Sequence, residues 1–351
     1  MQHPHEASAP ALVAVDWGTT SLRAWALAPD GAVLGSVRSP NGLRTVAARA
    51  AERGVPADRA FADALAEAAA ALGAEGAPAL ACGMVGSDGG WSPVPHLRPP
   101  LPAVPESFEP HRVPGADPPV WIVPGLRTSP AAPDGGGTAD GAPDVVRGEE
   151  TQVLGALERL GLPEEATLVL PGTHTKWLRV EGGSVTGFTT AMTGEIHAAL
   201  MEGTILGDPA RTAPCPGDTE HPDAGGAAFG AGIGHTLANP AQPLAARLFS
   251  ARTRHLDGAL GAHDVAEYVS GLLIADETEH MLTLTGATAV VLCADGALGP
   301  RYRRALERRG TRVRLLEDTA RDGLTALARA FGLLKAPAPE RPAANPSEGP
   351  A

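Results

Sequence analysis

Asp16, Gly18, Thr19 and Thr20 fall together in Val15-Asp16-Trp17-Gly18-Thr19-Thr20-Ser21-Leu22-Arg23, where an apolar run stops at a carboxylate and turns. Exposed turn amides and threonine hydroxyls suit phosphate oxygens, and a single carboxylate suits a hydrated magnesium ion. No lysine follows the glycine turn, so this is not a Walker loop. An aspartate capping its own turn is the bland alternative. A second apolar run, 167–170, enters Pro171-Gly172-Thr173-His174-Thr175-Lys176. Strand, Gly-Thr turn and strand thus occur twice. Two phosphate hairpins are expected where ATP lies in a cleft between two related domains. Gly172, Thr173 and Thr175 would then join Gly18, Thr19 and Thr20 around the phosphates, with Lys176 offsetting their charge.

Between the hairpins lies Arg147-Gly148-Glu149-Glu150-Thr151-Gln152, which opens a helix. A carboxylate there could take the proton of a hydroxyl that attacks a γ-phosphate. Acidic residues also favour helix N-termini through the dipole alone. Successive helical side chains diverge by ~100°, so Glu149 and Glu150 do not share one role. Arg147 and Lys176 are candidates for stabilising anionic groups. The loop Gly83-Met84-Val85-Gly86-Ser87 is dense in glycine and would let a substrate approach backbone closely, or it is an ordinary strand-end turn. Thr193 and Glu195 open a later helix and either line the cleft or, through Thr193, cap that helix. His174 could hydrogen-bond a phosphate, whereas a lone loop histidine reads as structural, and it is not taken as a base. Asp295 and Gly296 form a tight turn after an apolar strand.

These groups need a frame. Strands are expected at 12–16, 22–27, 32–37, 79–82 and 120–123, with a helix over 56–73 where Phe61, Leu65, Ala69 and Leu72 recur at helical spacing. The Pro-rich segment 93–119 reads as a long surface segment over a cleft, and 128–143 as a flexible loop insertion. Further strands are expected at 167–170, 176–180, 184–189, 288–293 and 312–316. Helices fit the start at Gly148, the start at Thr193, and 240–252, 264–282, 300–309 and 321–334; 209–227 reads as loop. Alternating helices and short strands make the fold α/β. The boundaries read are a disordered tail over 1–10, a first domain over 11–146, a second over 147–335 and a disordered tail over 336–351.

The 351 residues suffice for two domains with their own cores. A formal net charge of −12 argues against nucleic acid as a partner. Cys82, Cys215 and Cys293 have neither metal nor disulfide spacing, which points to a reducing cytoplasm. No apolar signal core or membrane-length run is seen, so no membrane partner is expected. Oligomeric state is not readable.

The first hairpin resembles the phosphate loop of the actin, hexokinase and Hsp70 ATPase superfamily. The ordered set is more specific. Val-Asp-Trp-Gly-Thr-Thr from Val15, Gly-Met-Val-Gly-Ser from Gly83, Trp-Ile-Val-Pro-Gly-Leu from Trp121 and Arg-Gly-Glu-Glu-Thr-Gln from Arg147 come first. Leu-Pro-Gly-Thr-His-Thr-Lys-Trp from Leu170, Met-Thr-Gly-Glu from Met192 and Ser-Gly-Leu-Leu-Ile from Ser270 follow. Over about 12–334 this order resembles the 2-dehydro-3-deoxygalactonokinase family. The resemblance implies a two-domain ribonuclease H-like (actin/hexokinase-type) ATPase fold with an interdomain cleft. It also implies ATP, Mg2+ and transfer of the γ-phosphoryl group to the 6-hydroxyl of 2-dehydro-3-deoxy-D-galactonate. Under it, Asp16 orients the metal, Glu149 is the first choice of base and Glu150 the second. Gly83, Met84, Val85, Gly86, Ser87, Arg147, Thr193 and Glu195 face the anionic sugar acid. Asp295-Gly296 stands where a Gly-Thr-Ser-Leu type adenosine loop is expected, and it keeps the turn but changes its polar groups. A kinase for another 2-keto-3-deoxy acid of the gluconate series, and a non-catalytic sugar or nucleotide sensor on the same fold, are the alternatives.

Overall fold

The computed structural model describes residues 9–128, 142–212 and 226–335. The expected tails, apart from Ala9 and Pro10, and residues 129–141 of the expected loop lie outside them, as do 213–225 and Cys215. The first part of the chain forms β1 (Leu12–Trp17), β2 (Leu22–Leu27), β3 (Val33–Ser39), α1 (Leu43–Arg53), α2 (Ala57–Ala71) and β4 (Ala79–Gly83). Short strands β5 (Leu101–Pro102), β6 (His111–Arg112), β7 (Val120–Ile122), β8 (Leu126–Arg127) and β9 (Val145–Val146) follow, then α3 (Glu149–Leu160). The remainder forms β10 (Glu165–Leu170), β11 (Thr175–Glu181), β12 (Ser184–Ala191), α4 (Thr193–Gly203), α5 (Asp208–Thr212), α6 (Ala227–Ala238), α7 (Leu244–Leu256) and α8 (Asp264–Thr285). It closes with β13 (Ala289–Cys293), α9 (Leu298–Arg308), β14 (Arg312–Leu316) and α10 (Thr319–Ala330).

The first sheet has the order β3-β2-β1-β4-β7-β6 and the second β14-β13-β10-β11-β12-β5. In the first, β1, β2 and β3 form an antiparallel meander, and β4 and β7 run parallel to β1. In the second, β10, β11 and β12 form the meander, and β13 and β14 run parallel to β10. The same five-strand arrangement therefore occurs twice, which is the two-domain ribonuclease H-like architecture.

Strand alternation decides what faces the space between the sheets. Leu12 and Ala14 of β1 join a core that also holds Leu168 and Leu170 of β10 and Leu178 and Val180 of β11. Val13, Val15 and Trp17 point the other way, against Phe61 and Ala64 of α2. Val169 and Trp177 point outward against Phe229 of α6, Ile274 of α8 and Tyr302 of α9. Helices α3 and α10 fill the space between the sheets: Leu154 and Leu157 of α3 and Leu324 and Leu327 of α10 belong to the shared core. Helix α10 packs on α3 and also on β1 and β4 of the first sheet.

Several expectations change here. The Pro-rich segment is not a surface cover alone: it places β5 beside β12 of the second sheet and buries Ala103 and Phe108 between the sheets. Helix α1 was not foreseen, because of its turns only Val46 and Ala50 are buried. The expected loop over 209–227 gives way to α5 at its start and to α6 at its end. Helix α7 runs Leu244–Leu256 rather than 240–252, since Pro243 sets its N-terminal boundary. Cys82 and Cys293 are free and buried. Among the described residues no helix is long and apolar enough to cross a membrane.

Candidate active site

Three chain reversals converge at the mouth between the sheets. The parity that sends Leu12 and Ala14 inward also sends Asp16 inward, at the end of β1. Trp17 turns outward and anchors the reversal: its indole donates to the Asn41 carbonyl at 2.9 Å and its ring meets Phe61 edge-on at 5.4 Å. Truncating a buried tryptophan of this kind costs ~3–5 kcal/mol. The turn closes with the Gly18 N–H on the Ser21 carbonyl at 2.9 Å. Helix α1 backs it, for a Cβ on Gly42 would fall 2.3 Å from the Thr20 carbonyl carbon. The second hairpin is backed in the same way by α4, where a Cβ on Gly194 would lie 2.5 Å from the Gly172 carbonyl oxygen.

The third reversal joins β9 to α3. Gly148 takes φ +106°, and Gly83, at the end of β4, takes φ +89°. Residues with a Cβ rarely adopt either conformation. Glu149 Oε2 accepts the Arg147 N–H at 2.9 Å, and Glu150 Oε2 accepts the Gly148 N–H at 2.7 Å. The two carboxylates therefore do satisfy backbone donors at the helix start, and they differ in their access to the cavity. Glu149 lines a cavity of ≈ 500 Å³. Glu150 is 1 % exposed and also accepts from the Thr151 hydroxyl at 3.0 Å. Burial raises the Glu149 pKa, opposed by the nearby Lys176 ammonium. Burial, reinforced by Glu149, pushes Glu150 up to about 7.

The cavity is lined by Asp16, Gly18 and Thr19 of the first hairpin and Gly172, Thr173, His174 and Lys176 of the second. Gly83 at the end of β4, with Met84 and Ser87 after it, enters the cavity, and Arg147 and Gly148 before α3 and Glu149 and Gln152 of α3 close it. The sequence reading did not single out Asp88, His96 or Gln152, which also line it. Asp88 directly follows the glycine-dense loop and Gln152 ends the Arg147–Gln152 motif, whereas His96 arrives there only because the Pro-rich segment folds back.

Other expected residues point elsewhere. Thr175 has the outward parity of Trp177 and is fully buried, and its hydroxyl lies 2.7 Å from the Tyr302 hydroxyl. Thr193 neither caps α4 nor reaches the cavity; its hydroxyl donates to Glu277. Glu277 also accepts the Trp177 indole N–H and the Tyr302 hydroxyl, each at 2.7 Å. Burial raises the Glu277 pKa against those hydrogen bonds. Val85 lies in the outer core of the first sheet. A Cβ on Gly86 would meet Ile122 at 2.8 Å and Arg147 Nη1 at 2.9 Å. Glu195 pairs with His174 at 2.5 Å, and Thr20 is exposed beyond the cavity lining. Asp295 accepts the Asp318 N–H at 2.8 Å and pairs with Arg23, and neither it nor Gly296 lines the cavity.

Arg23 opposes Asp16 across the β1–β2 register. Its guanidinium binds Asp16 Oδ2 at 2.7 Å and Asp295 in the turn after β13 of the second sheet. Burial works against the charged Arg23, but Asp16 and Asp295 hold its pKa above the usual value. Lys176 is 7 % exposed, shares the inward parity of Leu178, and donates to the Thr190 hydroxyl at 3.0 Å. Thr190 in turn donates to Asp144 at 2.7 Å. Among the described residues no group of three or more His, Cys, Asp or Glu side chains is gathered for a metal. A divalent ion here would share Asp16 with phosphate oxygens and water, the usual manner of magnesium.

The chain matches the family model of 2-keto-3-deoxy-galactonokinase over residues 16–327. It is 37% identical over 322 residues to a probable 2-dehydro-3-deoxygalactonokinase, DgoK1, of Rhizobium meliloti (strain 1021), covering 91% of this chain and 96% of that one. It is 32% identical over 325 residues to the 2-dehydro-3-deoxygalactonokinase of Escherichia coli (strain K12), covering 91% and 97%. A crystal structure from Sinorhizobium meliloti, assigned to a 2-dehydro-3-deoxygalactonokinase protein, superposes with a TM-score of 0.75 at 36% identity, covering 91% of this chain and 99% of that one.

Proposed function

The chain belongs to the 2-keto-3-deoxy-galactonokinase family, and from that premise we propose a division of labour among the residues of its cleft. The enzyme is a 2-dehydro-3-deoxygalactonokinase of galactonate catabolism, with ATP as phosphoryl donor. The acceptor is the 6-hydroxyl of 2-dehydro-3-deoxy-D-galactonate, and the work is done in the cytoplasm, where ATP is made available. The lobes are 11–146 and 147–335, divided just before α3.

One observation carries the assignment of roles. Asp16, Lys176, both hairpins and Glu149 line a single cavity. Gly18, Thr19, Gly172 and Thr173 offer amides and hydroxyls to phosphate oxygens. Lys176 stands on the inner face of β11 and offsets charge on the transferred group. Bound magnesium would neutralise phosphate charge, and Asp16 is the carboxylate that would hold its water shell. Glu149 aligns the sugar hydroxyl and accepts its proton late in transfer. Its raised pKa suits that task, since a stronger base takes the proton more readily. Glu150 has no access to the cavity and supports the turn at Gly148. Gly83, Met84 and Ser87 form the wall against which the sugar lies.

A coupled ADP-release assay on a panel of 2-keto-3-deoxy acids tests this reading. The galactonate-series acid is expected to give the highest kcat/KM, with release dependent on magnesium. No ADP release with any acid of the panel would overturn it.

A further inference from the structure

Arg147 is a cation without a counter-ion. It is half-buried in the cavity wall, and among the described residues it forms no ion pair. Glu150 and Asp88 act on it only from longer range, and burial lowers its pKa. One guanidinium nitrogen, Nη2, donates to the Val94 carbonyl at 2.9 Å and lies 3.1 Å from His96 Nε2. The other, Nη1, is buried with no partner at all. An uncompensated charge in such a place costs free energy unless a ligand supplies the opposite sign.

The lysine and arginine side chains that line the cavity are Lys176 and Arg147. Lys176 belongs to a phosphate hairpin and acts on Glu149, where phosphoryl transfer takes place. The acceptor substrate carries one group that is ionised at neutral pH, its carboxylate. Arg147 is the cation left to receive it, and a guanidinium fork matches a carboxylate in shape.

His96 holds that fork in place. A ring nitrogen can accept from Nη2 only while it carries no proton. Burial, then Arg147 and Arg127, keep the His96 pKa below its ordinary value. The ring is packed closely, since a Cβ on Gly125 would fall 3.1 Å from its Cδ2.

We propose that Arg147, positioned by His96, receives the carboxylate of the sugar acid and makes the enzyme select the acid over its neutral counterparts. This rests on the kinase reading above. The Arg147 main chain simultaneously holds Glu149 through the 2.9 Å bond from its N–H. One residue thus relates the charged end of the substrate to the base at the other end.

Calorimetry without ATP tests it, with 2-dehydro-3-deoxy-D-galactonate and its carboxamide as probes. The wild-type protein is expected to prefer the acid on the order of 100-fold, as for other desolvated charge pairs. Arg147→Gln should lose most of that preference by weakening the acid while leaving the carboxamide nearly unchanged. Arg147→Lys should retain part of it, because charge remains and the fork does not. His96→Leu should weaken calorimetric binding of the acid about tenfold with little change in Kd for ATP, and His96→Asn, which keeps an acceptor, should restore it. Equal wild-type affinity for acid and carboxamide would overturn the proposal. So would parallel loss of both ligands in Arg147→Gln, or failure of His96→Asn to rescue. If Arg147→Gln does not fold, the wild-type comparison and Arg147→Lys decide. Failure of the kinase reading shows separately, as absent ADP release, because these binding measurements need no turnover.

Discussion

Gly83 and Gly148 lie back to back, so that a Cβ placed on Gly148 would fall 3.1 Å from the Gly83 Cα and 3.9 Å from Asp16 Oδ1. This contact brings the end of β4 against the start of α3 and sets Asp16 beside the helix start that carries Glu149. Gly148→Ala combines a forbidden φ with a clash. It should destabilise the fold by ~1–3 kcal/mol and lower kcat more steeply than that loss explains. Gly161→Ala is the control, with φ +74° and open space around its Cβ. Denaturant melts and kcat should show strain alone in the control. Equal kcat in the two variants would mean that the contact does not set the site.

Asp16→Asn should lower kcat by several powers of ten and weaken the magnesium dependence. Each tenfold loss corresponds to about 1.4 kcal/mol of barrier. Arg23 keeps Asp295 as a partner in that variant, so the melt should move little. Near-normal turnover with an unchanged magnesium requirement would remove Asp16 from the chemistry.

Glu149→Gln should abolish phosphorylation while ATP and sugar-acid affinities stay within about tenfold, because a transition-state contact need not affect ground-state binding. Glu150→Gln, away from the cavity, should cost far less in kcat. Rapid-quench turnover and calorimetry on both variants separate the two glutamates. A dead Glu150→Gln beside an active Glu149→Gln would reverse the assignment.

Glu150 also predicts a pH dependence of stability. Its carboxyl is raised from 4.5 to about 7 in the folded protein. Between those values the folded state holds a proton that the unfolded state has released, so stability falls as pH rises. The full cost is present above the folded value and absent below the unfolded one. The wild-type melting temperature, relative to that of Glu150→Gln, should therefore decline from pH 4.5 to pH 7 and level off above it. Parallel curves for the two proteins would show that Glu150 is ionised at its ordinary pKa.

Glu277 joins Trp177 of β11, Thr193 of α4 and Tyr302 of α9. Glu277→Leu strands the Trp177 indole N–H and frees two buried hydroxyls. A loss of roughly 2–5 kcal/mol is expected, larger than for Glu277→Gln, which keeps a polar group in place. Urea melts of both variants provide the comparison. A leucine variant as stable as the glutamine one would show that the network adds specificity without stability.

Much of the cavity lining was legible because it depends on short-range pattern. Asp16 and Glu149 follow from a strand end and a helix start. Thr175 was misplaced although the same pattern bears on it: alternation puts Lys176 inward, so its neighbour faces out. Arg23 could have been paired with Asp16 from the hairpin register, but Asp295 meets it only through tertiary assembly. The three glycines within α6 hid that helix, since each interior glycine costs ~1 kcal/mol of helix stability. The structure shows two of the reasons for glycine at this crossing. A Cβ on Gly232 would fall 2.2 Å from the Tyr268 carbonyl oxygen of α8, and one on Gly271 of α8 would fall 2.2 Å from the Phe229 carbonyl oxygen. Close approach of two helix backbones has no local signature.

Helix α10 covers Leu12, Ala14 and Leu80 of the first sheet, yet the ribosome makes it after the whole second sheet. At ordinary elongation rates the delay between the end of β9 and the end of α10 is on the order of 10–40 s. Through that interval the nascent first lobe presents a bare apolar face. It cannot mature as a free-standing unit, and holdase chaperones have a defined window in which to bind it. Release of α10 from the exit tunnel, rather than completion of either hairpin, is the event that ends that exposure.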